Sequence, residues 1–216
     1  MEQLWRDWRH LLGILSIPVQ GLFYLLISRV SGETAYYNYY WFDTYIPVVR
    51  WFAYPYVSWM LILYVAFLYF AIVNRPLYWR TIIVYNVSVM VCNIIFLLFN
   101  TYVPRPEIEG TDLASRLIQF VYSNDAPLNC FPSVHCLTSY LLIIMINRHL
   151  NWPVLWKALA SLWLWLIIAS TVFIKQHSAI DIVGGILIAE GVYQLVRILP
   201  LQLGKKQDKA TALRAD

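Results

Sequence analysis

Two short patches hold the residues best suited to chemistry. One is Cys130-Phe131-Pro132-Ser133-Val134-His135, and the other is Lys175-Gln176-His177-Ser178-Ala179-Ile180-Asp181. Each adjoins a long apolar run, which puts it at a membrane surface, where titratable groups are rarely retained without a function. His177 and Asp181 are four residues apart. On a helix that starts near His177 they share one face, so the carboxylate can accept a hydrogen bond from one ring nitrogen. That bond fixes the tautomer and leaves the other nitrogen free to attack. His135, on a different helix, is placed to give a proton to a leaving group. Ser133 has the character of an N-cap with free backbone N–H groups behind it, a natural phosphate site. Arg105, between Pro104 and Pro106, offers a planar fork for phosphate oxygens, and Lys175 a point charge. Together they describe a phosphate cradle with a nucleophile, an acid and an orienting carboxylate.

Taken singly, each residue has a blander reading. A histidine at a membrane edge is commonly an anchor, Pro132-Ser133 an ordinary helix start, Arg105 a solvated charge on a rigid loop, and Lys175 a snorkelling side chain. Asp181 is harder to dismiss, because Ile180, Ile182 and Val183 surround it. Coincidence accounts poorly for all six in this order.

These residues need a scaffold, and composition says which. Hydrophobic residues make up 60% of the chain and charged residues only 13%, the balance of an integral membrane protein. Six runs approach the roughly 20 apolar residues that a membrane-spanning helix needs. They are residues 11–30, 55–73, 81–99, 134–146, 152–174 and 182–199, the fourth being the shortest. None alternates with period two, which excludes a β-barrel reading. The expectation is an all-α bundle of six transmembrane helices. Arg6 and Arg9 precede the first run, but its length and the lack of a small-residue cleavage pattern make it an uncleaved anchor. One domain over residues 1–203 is expected, followed by a disordered polar tail over 204–216.

With six spans both termini share a side. Eleven of the sixteen Lys and Arg residues fall there, so the termini are expected in the cytoplasm. Both histidine patches then lie on the outer face, and His10 and His149, the other two of the four histidines, on the inner. The net charge of +4 follows from this topology and implies no nucleic-acid partner. Short inner loops and modest size point to a plasma membrane. The first outer loop is dense in aromatics, including Tyr36, Tyr37, Tyr39, Tyr40, Trp41, Phe42 and Tyr45, and reads as an interfacial belt more readily than as a substrate groove. In the second, residues 112–122 place Leu113, Leu117, Phe120 and Val121 on one side, the pattern of a helix lying along the membrane surface. Cys92 reads as a small buried apolar residue. For Cys130 and Cys136, spacing leaves a disulfide and two free thiols both open. No Cys/His grouping has zinc spacing. Glu190, mid-way along the last run, reads as the partner of another buried polar group such as Gln20 or Asn93, with a proton or head-group role as the alternative.

Arg105-Pro106, then Pro132-Ser133-Val134-His135, then Ser170-Thr171 followed by His177 and Asp181, resembles the three-part signature of the type 2 phosphatidic acid phosphatase superfamily. These are membrane lipid phosphatases related to vanadium haloperoxidases. The resemblance implies that His177 is the nucleophile and forms a phosphohistidine, and that His135 protonates the departing group. It implies that Asp181 orients the nucleophile, that Arg105 and Ser133 hold phosphate oxygens, and that no metal or other cofactor is needed. Three positions depart from the pattern. Leu98 stands where the family usually has lysine, Val134 where it has glycine, and Thr171 where it has arginine. Lys175, two residues before His177, is the expected replacement for part of that charge. The Ser-Thr and Lys-Gln-His forms resemble a divergent branch that includes inositol phosphosphingolipid synthases.

The leading expectation is therefore a lipid phosphatase whose partners are a phosphorylated lipid and the surrounding membrane lipids. Polyprenyl diphosphate, phosphatidylglycerol phosphate and phosphatidic acid are candidate substrates. A head-group phosphotransferase would use the same residues with an alcohol as acceptor. A non-enzymatic lipid carrier has no use for a nucleophile with its own carboxylate.

Overall fold

The computed structural model describes residues 9–31 and 35–199. A 3-10 segment, Arg9–Leu15, leads into α1 (Ser16–Ser31), followed by α2 (Ala53–Val73), α3 (Arg75–Leu98), α4 (Leu113–Asn124), α5 (Val134–His149), α6 (Val154–Phe173) and α7 (Ala179–Ile198). The fold is nearly all-α, as the sequence implied. Among the described residues the exception is one parallel two-residue pairing of β1 (Tyr36–Tyr37) with β2 (Thr101–Tyr102), which ties the loop between α1 and α2 to the loop between α3 and α4.

Among the described residues, five helical stretches are long and apolar enough to cross a membrane: Arg9–Val30, Arg50–Val73, Arg75–Leu98, Val154–Phe173 and Ala179–Ile198. Their outward faces carry large apolar side chains such as Val19, Leu61, Leu162 and Leu187, as a lipid-facing surface requires. The fourth predicted run is α5. It has only 16 residues and lies among α2, α3, α6 and α7. Nine of those residues are buried, including Thr138 and Ser139. Its length falls short of the roughly 20 residues that a bilayer crossing needs, so it gives the weakest span signal of the six runs.

Local rules set the helix ends. Asn74 alone separates α2 from α3, and its Oδ1 accepts a hydrogen bond from the Leu77 amide at 3.0 Å. Ser133 caps α5 and Ser178 caps α7. Gly184 and Gly185 let α7 approach the start of α5. A Cβ on Gly185 would lie 2.5 Å from the Ser133 carbonyl oxygen, and one on Gly184 would lie 2.6 Å from the Phe131 ring. The Ser133 amide also donates to the Asp181 carbonyl at 3.1 Å. This close packing brings the two histidine patches together.

Helix α4 forms and buries Ala114, Ser115, Ile118 and Val121 in the protein, while Leu113 and Phe120 of the predicted apolar side are exposed. The hydrophobic contact of α4 is with Ala53, Tyr56 and Ile174. Glu190 pairs with neither Gln20 nor Asn93; its carboxylate accepts from Gln194, Tyr140 and Arg148. All three cysteines are free and buried, so Cys130 and Cys136 are not bridged. The expected tail, residues 204–216, lies outside the described residues.

Candidate active site

His177 precedes α7 in a tight turn. Its backbone amide and that of Gln176 both donate to the Thr171 carbonyl, at 3.0 and 2.9 Å. Its Nδ1 lies 3.1 Å from Asp181 Oδ2 and 2.9 Å from the Cys130 carbonyl oxygen. Both neighbours only accept, so Nδ1 carries the ring hydrogen and Nε2 presents a lone pair. That Nε2 lies 3.3 Å from Nδ1 of His135. The His135 ring is held between Trp59 and Tyr56, at centroid distances of 4.1 and 4.8 Å, and Trp59 is fixed by donating from Nε1 to Thr138 Oγ1 at 2.8 Å. The predicted step from His177 to Asp181 is therefore present, with His135 facing the nitrogen that the carboxylate leaves free.

Asp181 is fully buried and all its bonds are to donors. Oδ2 also accepts from the Ser178 amide at 3.0 Å, completing a capping box, and Oδ1 accepts from Asn38 Nδ2 at 2.6 Å. Asp43 supports the same helix start. Its carboxylate accepts from Ser178 Oγ at 2.6 Å and the Ala179 amide at 2.9 Å. Two carboxylates at one helix N-terminus are stabilised by the unpaired N–H groups and the helix dipole there.

Arg105 lines the same cavity, beside Gln176. Its Nη1 donates to the Asp125 carbonyl at 2.6 Å and its Nη2 to Gln176 Oε1 at 2.5 Å, with the guanidinium 4.8 Å over the Tyr122 ring. Since arginine only donates, Gln176 must turn its oxygen toward it and its NH2 away. That Nε2 is buried without an acceptor, as is Arg105 Nε. Burial pushes the Asp125 carboxyl above the usual carboxylate range, against the opposing pull of Arg105 and a bond from Tyr24. Burial likewise pushes the Cys130 thiol up, so it stays protonated.

Arg105, Asp125, Asn129, His135, Gln176 and His177 line one end of a cavity of about 540 Å³. Apolar side chains of α1, α2 and α3, among them Leu22, Leu25, Met60 and Val89, line the rest. The volume suits a small-molecule site, and the division suits a ligand with a charged head and an apolar body.

The other two predicted residues are placed differently. Ser133 is fully buried, its Oγ accepting from the Cys136 amide at 3.3 Å. It starts the helix that carries His135 and does not line the cavity. Lys175 is also absent from the lining. Its Nζ donates to Tyr39 Oη, the Asp43 carbonyl and the Ile46 carbonyl at 3.0, 2.9 and 2.6 Å, all in the first outer loop. Of the departing positions, Thr171 is completely buried and Leu98 is 78% exposed. Sequence reasoning passed over Gln176, although it sits inside the second patch. It also passed over Asn38 and Asp43, whose signal was polarity inside an aromatic loop.

A sequence profile of the PAP2 superfamily matches residues 77–203, more than half of the chain. The segment begins in α3 and includes every predicted site residue. The chain is a member of the PAP2 superfamily, a membrane protein whose helices carry the site just described. No curated protein and no solved structure matches it significantly.

Proposed function

We propose that the protein is a lipid phosphatase that cleaves a phosphomonoester or diphosphate through a phosphohistidine on His177. One observation carries this reading. A nucleophile with its carboxylate, a facing histidine and two buried donors without acceptors share one end of a cavity whose other walls are apolar. Phosphate oxygens are the acceptors that Arg105 Nε and Gln176 Nε2 lack, and a lipid body fits between α1, α2 and α3. In this reading Gln176 holds the head group where Lys175 was expected. Lys175 and Ser133 act one step back, by fixing the first loop and the start of α5.

The arriving phosphate takes the place of the His135 contact at Nε2. The Nε2–P bond forms as the P–O bond to the lipid breaks, and protonated His135 passes its proton to the departing oxygen. Water then gives a proton to His135 while its oxygen attacks phosphorus. The Nε2–P bond breaks and inorganic phosphate leaves. Arg105 and Gln176 stabilise the charge on the equatorial oxygens, and Asp181 the charge that develops on the His177 ring. No metal or other cofactor takes part in this scheme.

The same reading takes α5 as the sixth span, with one domain over residues 1–203, the termini in the cytoplasm and the site on the outer face of the plasma membrane. It also lays α4 in the interface, with Leu113 and Phe120 turned to lipid. The test is phosphate release from a panel of lipid phosphates by purified protein and its His177→Ala variant, with vanadate as inhibitor. Equal release by the two proteins ends the proposal. Adding an alcohol acceptor and looking for a new phospholipid determines whether water or alcohol completes the reaction.

A further inference from the structure

The apolar part of the cavity is interrupted by Gln20 of α1 and Asn93 of α3, both in its wall and both nearly fully buried. They end a ladder of side chains whose direction can be read from its lower end. The Gly13 carbonyl accepts from Ser16 Oγ at 2.7 Å, and the Ile82 carbonyl accepts from Asn86 Nδ2 at 2.8 Å. Backbone carbonyls cannot donate, so the NH2 of Asn86 must face this end, where it also donates to Ser16 Oγ at 2.9 Å. Asn86 Oδ1 then accepts from Gln20 Nε2 at 3.1 Å, and Gln20 Oε1 from Asn93 Nδ2 at 3.0 Å. Reversing one amide would set oxygen against oxygen or NH2 against NH2. The ladder therefore finishes at the cavity wall on an acceptor, Asn93 Oδ1, which is buried without a donor.

A buried oxygen without a donor carries a desolvation cost. A ligand that brings an N–H or O–H removes it. The level in the bundle says where on the ligand that donor lies. Tyr24, whose hydroxyl donates to Asp125 Oδ1 at 3.0 Å at the head end, is four residues from Gln20 on α1. Four residues are one turn, about 6 Å. The donor therefore sits close below the phosphate and not toward the chain end. Esters of a diacylglycerol offer only acceptors there, and a polyprenyl chain offers nothing.

We propose that this throat selects a lipid phosphate bearing an amide N–H or a hydroxyl just below its phosphate, with Asn93 as the specificity-determining residue. The inference rests on the phosphatase reading for where the head group sits. The probes are dioleoyl phosphatidic acid and its analogue with N–H replacing the ester oxygen of the second chain, each presented in nanodiscs. The wild-type protein is expected to favour the amide about tenfold in kcat/KM, the worth of one buried hydrogen bond. Asn93→Leu alone would leave Gln20 Oε1 as a second unpaired acceptor in the same wall, so the variant is Gln20→Leu/Asn93→Leu, which is expected to bring the ratio near one. Equal wild-type rates on the two lipids, as when water already satisfies Asn93, overturn the selectivity and leave the phosphatase reading intact. A preference that survives the double substitution overturns it too. If neither lipid releases phosphate in a His177-dependent way, the phosphatase reading falls. Native mass spectrometry with both lipids in competition then decides the throat by itself, where tighter binding of the amide sustains the inference and equal binding ends it.

Discussion

Asp181→Asn separates two tasks that a carboxylate beside a nucleophilic histidine usually combines: fixing the tautomer and stabilising the charge. The amide has the same shape, and Asn38, whose Nδ2 donates to Asp181 Oδ1 at 2.6 Å, can turn its own amide to keep a bond. The Cys130 carbonyl, 2.9 Å from His177 Nδ1, still accepts the ring hydrogen. The tautomer is therefore expected to survive, and what disappears is the negative charge 3.1 Å from that nitrogen. Charges about 4 Å apart at an effective dielectric of about 20 interact by about 4 kcal/mol. A loss of roughly 3–4 kcal/mol from the barrier to phosphorylation is a fall of about 10²–10³ in rate. Where a carboxylate alone fixes the tautomer, the corresponding loss is about 10⁴. The assay is single-turnover phosphate release, with the phosphohistidine trapped by alkaline quench and located by mass spectrometry. A fall of 10⁴ or more would show that the Cys130 carbonyl does not hold the ring. A fall under tenfold would remove Asp181 from the chemistry.

Other substitutions discriminate among the neighbours. Gln176→Leu removes a donor to a charged oxygen, worth about 1.5–3 kcal/mol, so kcat/KM and vanadate affinity should each drop at least tenfold; unchanged vanadate affinity would clear Gln176 of phosphate binding. Lys175→Ala removes the amine that ties three oxygens of the first loop together, so the thermal midpoint should fall by several degrees and kcat with it, while vanadate affinity holds; a selective loss of affinity would return Lys175 to the cradle. Because burial raises the Asp125 carboxyl, the folded state holds that proton more tightly than the unfolded chain, and the stability this gives is lost as pH rises through the folded-state value. Asp125→Asn should therefore melt higher than wild type at pH 7, with the gap closing below the ordinary carboxylate range; a pH-independent gap would contradict the burial argument.

The helices and the pairing of His177 with Asp181 were legible because each rests on a short-range rule. Apolar length marks a span, four-residue spacing marks a shared helix face, and Ser133 marks a helix start. The weak point, α5, is a matter of length: its 16 residues fall short of the roughly 20 that a bilayer crossing needs. Helix α4 was found by its apolar stripe, but that Ile118 and Val121 meet Ala53 and Tyr56 depends on what α2 presents, and no local pattern encodes that. Gln176 was hidden because an amide has no charge to attract notice. Its importance appears only when Arg105, 71 residues away, fixes which end of it is free.

The loop between α1 and α2 gives the strongest case for a candidate site assembled from distant sequence. Its aromatic residues Tyr36, Trp41 and Tyr45 are exposed, as an interfacial belt would be, while Asn38 and Asp43 are buried. The outward face hid the inward one. Asn38 holds the carboxylate of Asp181, Asp43 holds the first turn of α7, and the Lys175 amine fastens the loop at Tyr39, Asp43 and Ile46. Lys175 itself has φ of +55°, a left-handed conformation that an L side chain adopts only when its surroundings hold it there. A free phosphate-binding lysine would need no such anchoring. None of these loop residues falls within the family-matched segment 77–203. The residues proposed to react lie inside that segment, and the loop residues that hold them lie outside it, so exchange of the loop is expected to change the rate of phosphate release without touching any group proposed to meet the phosphate.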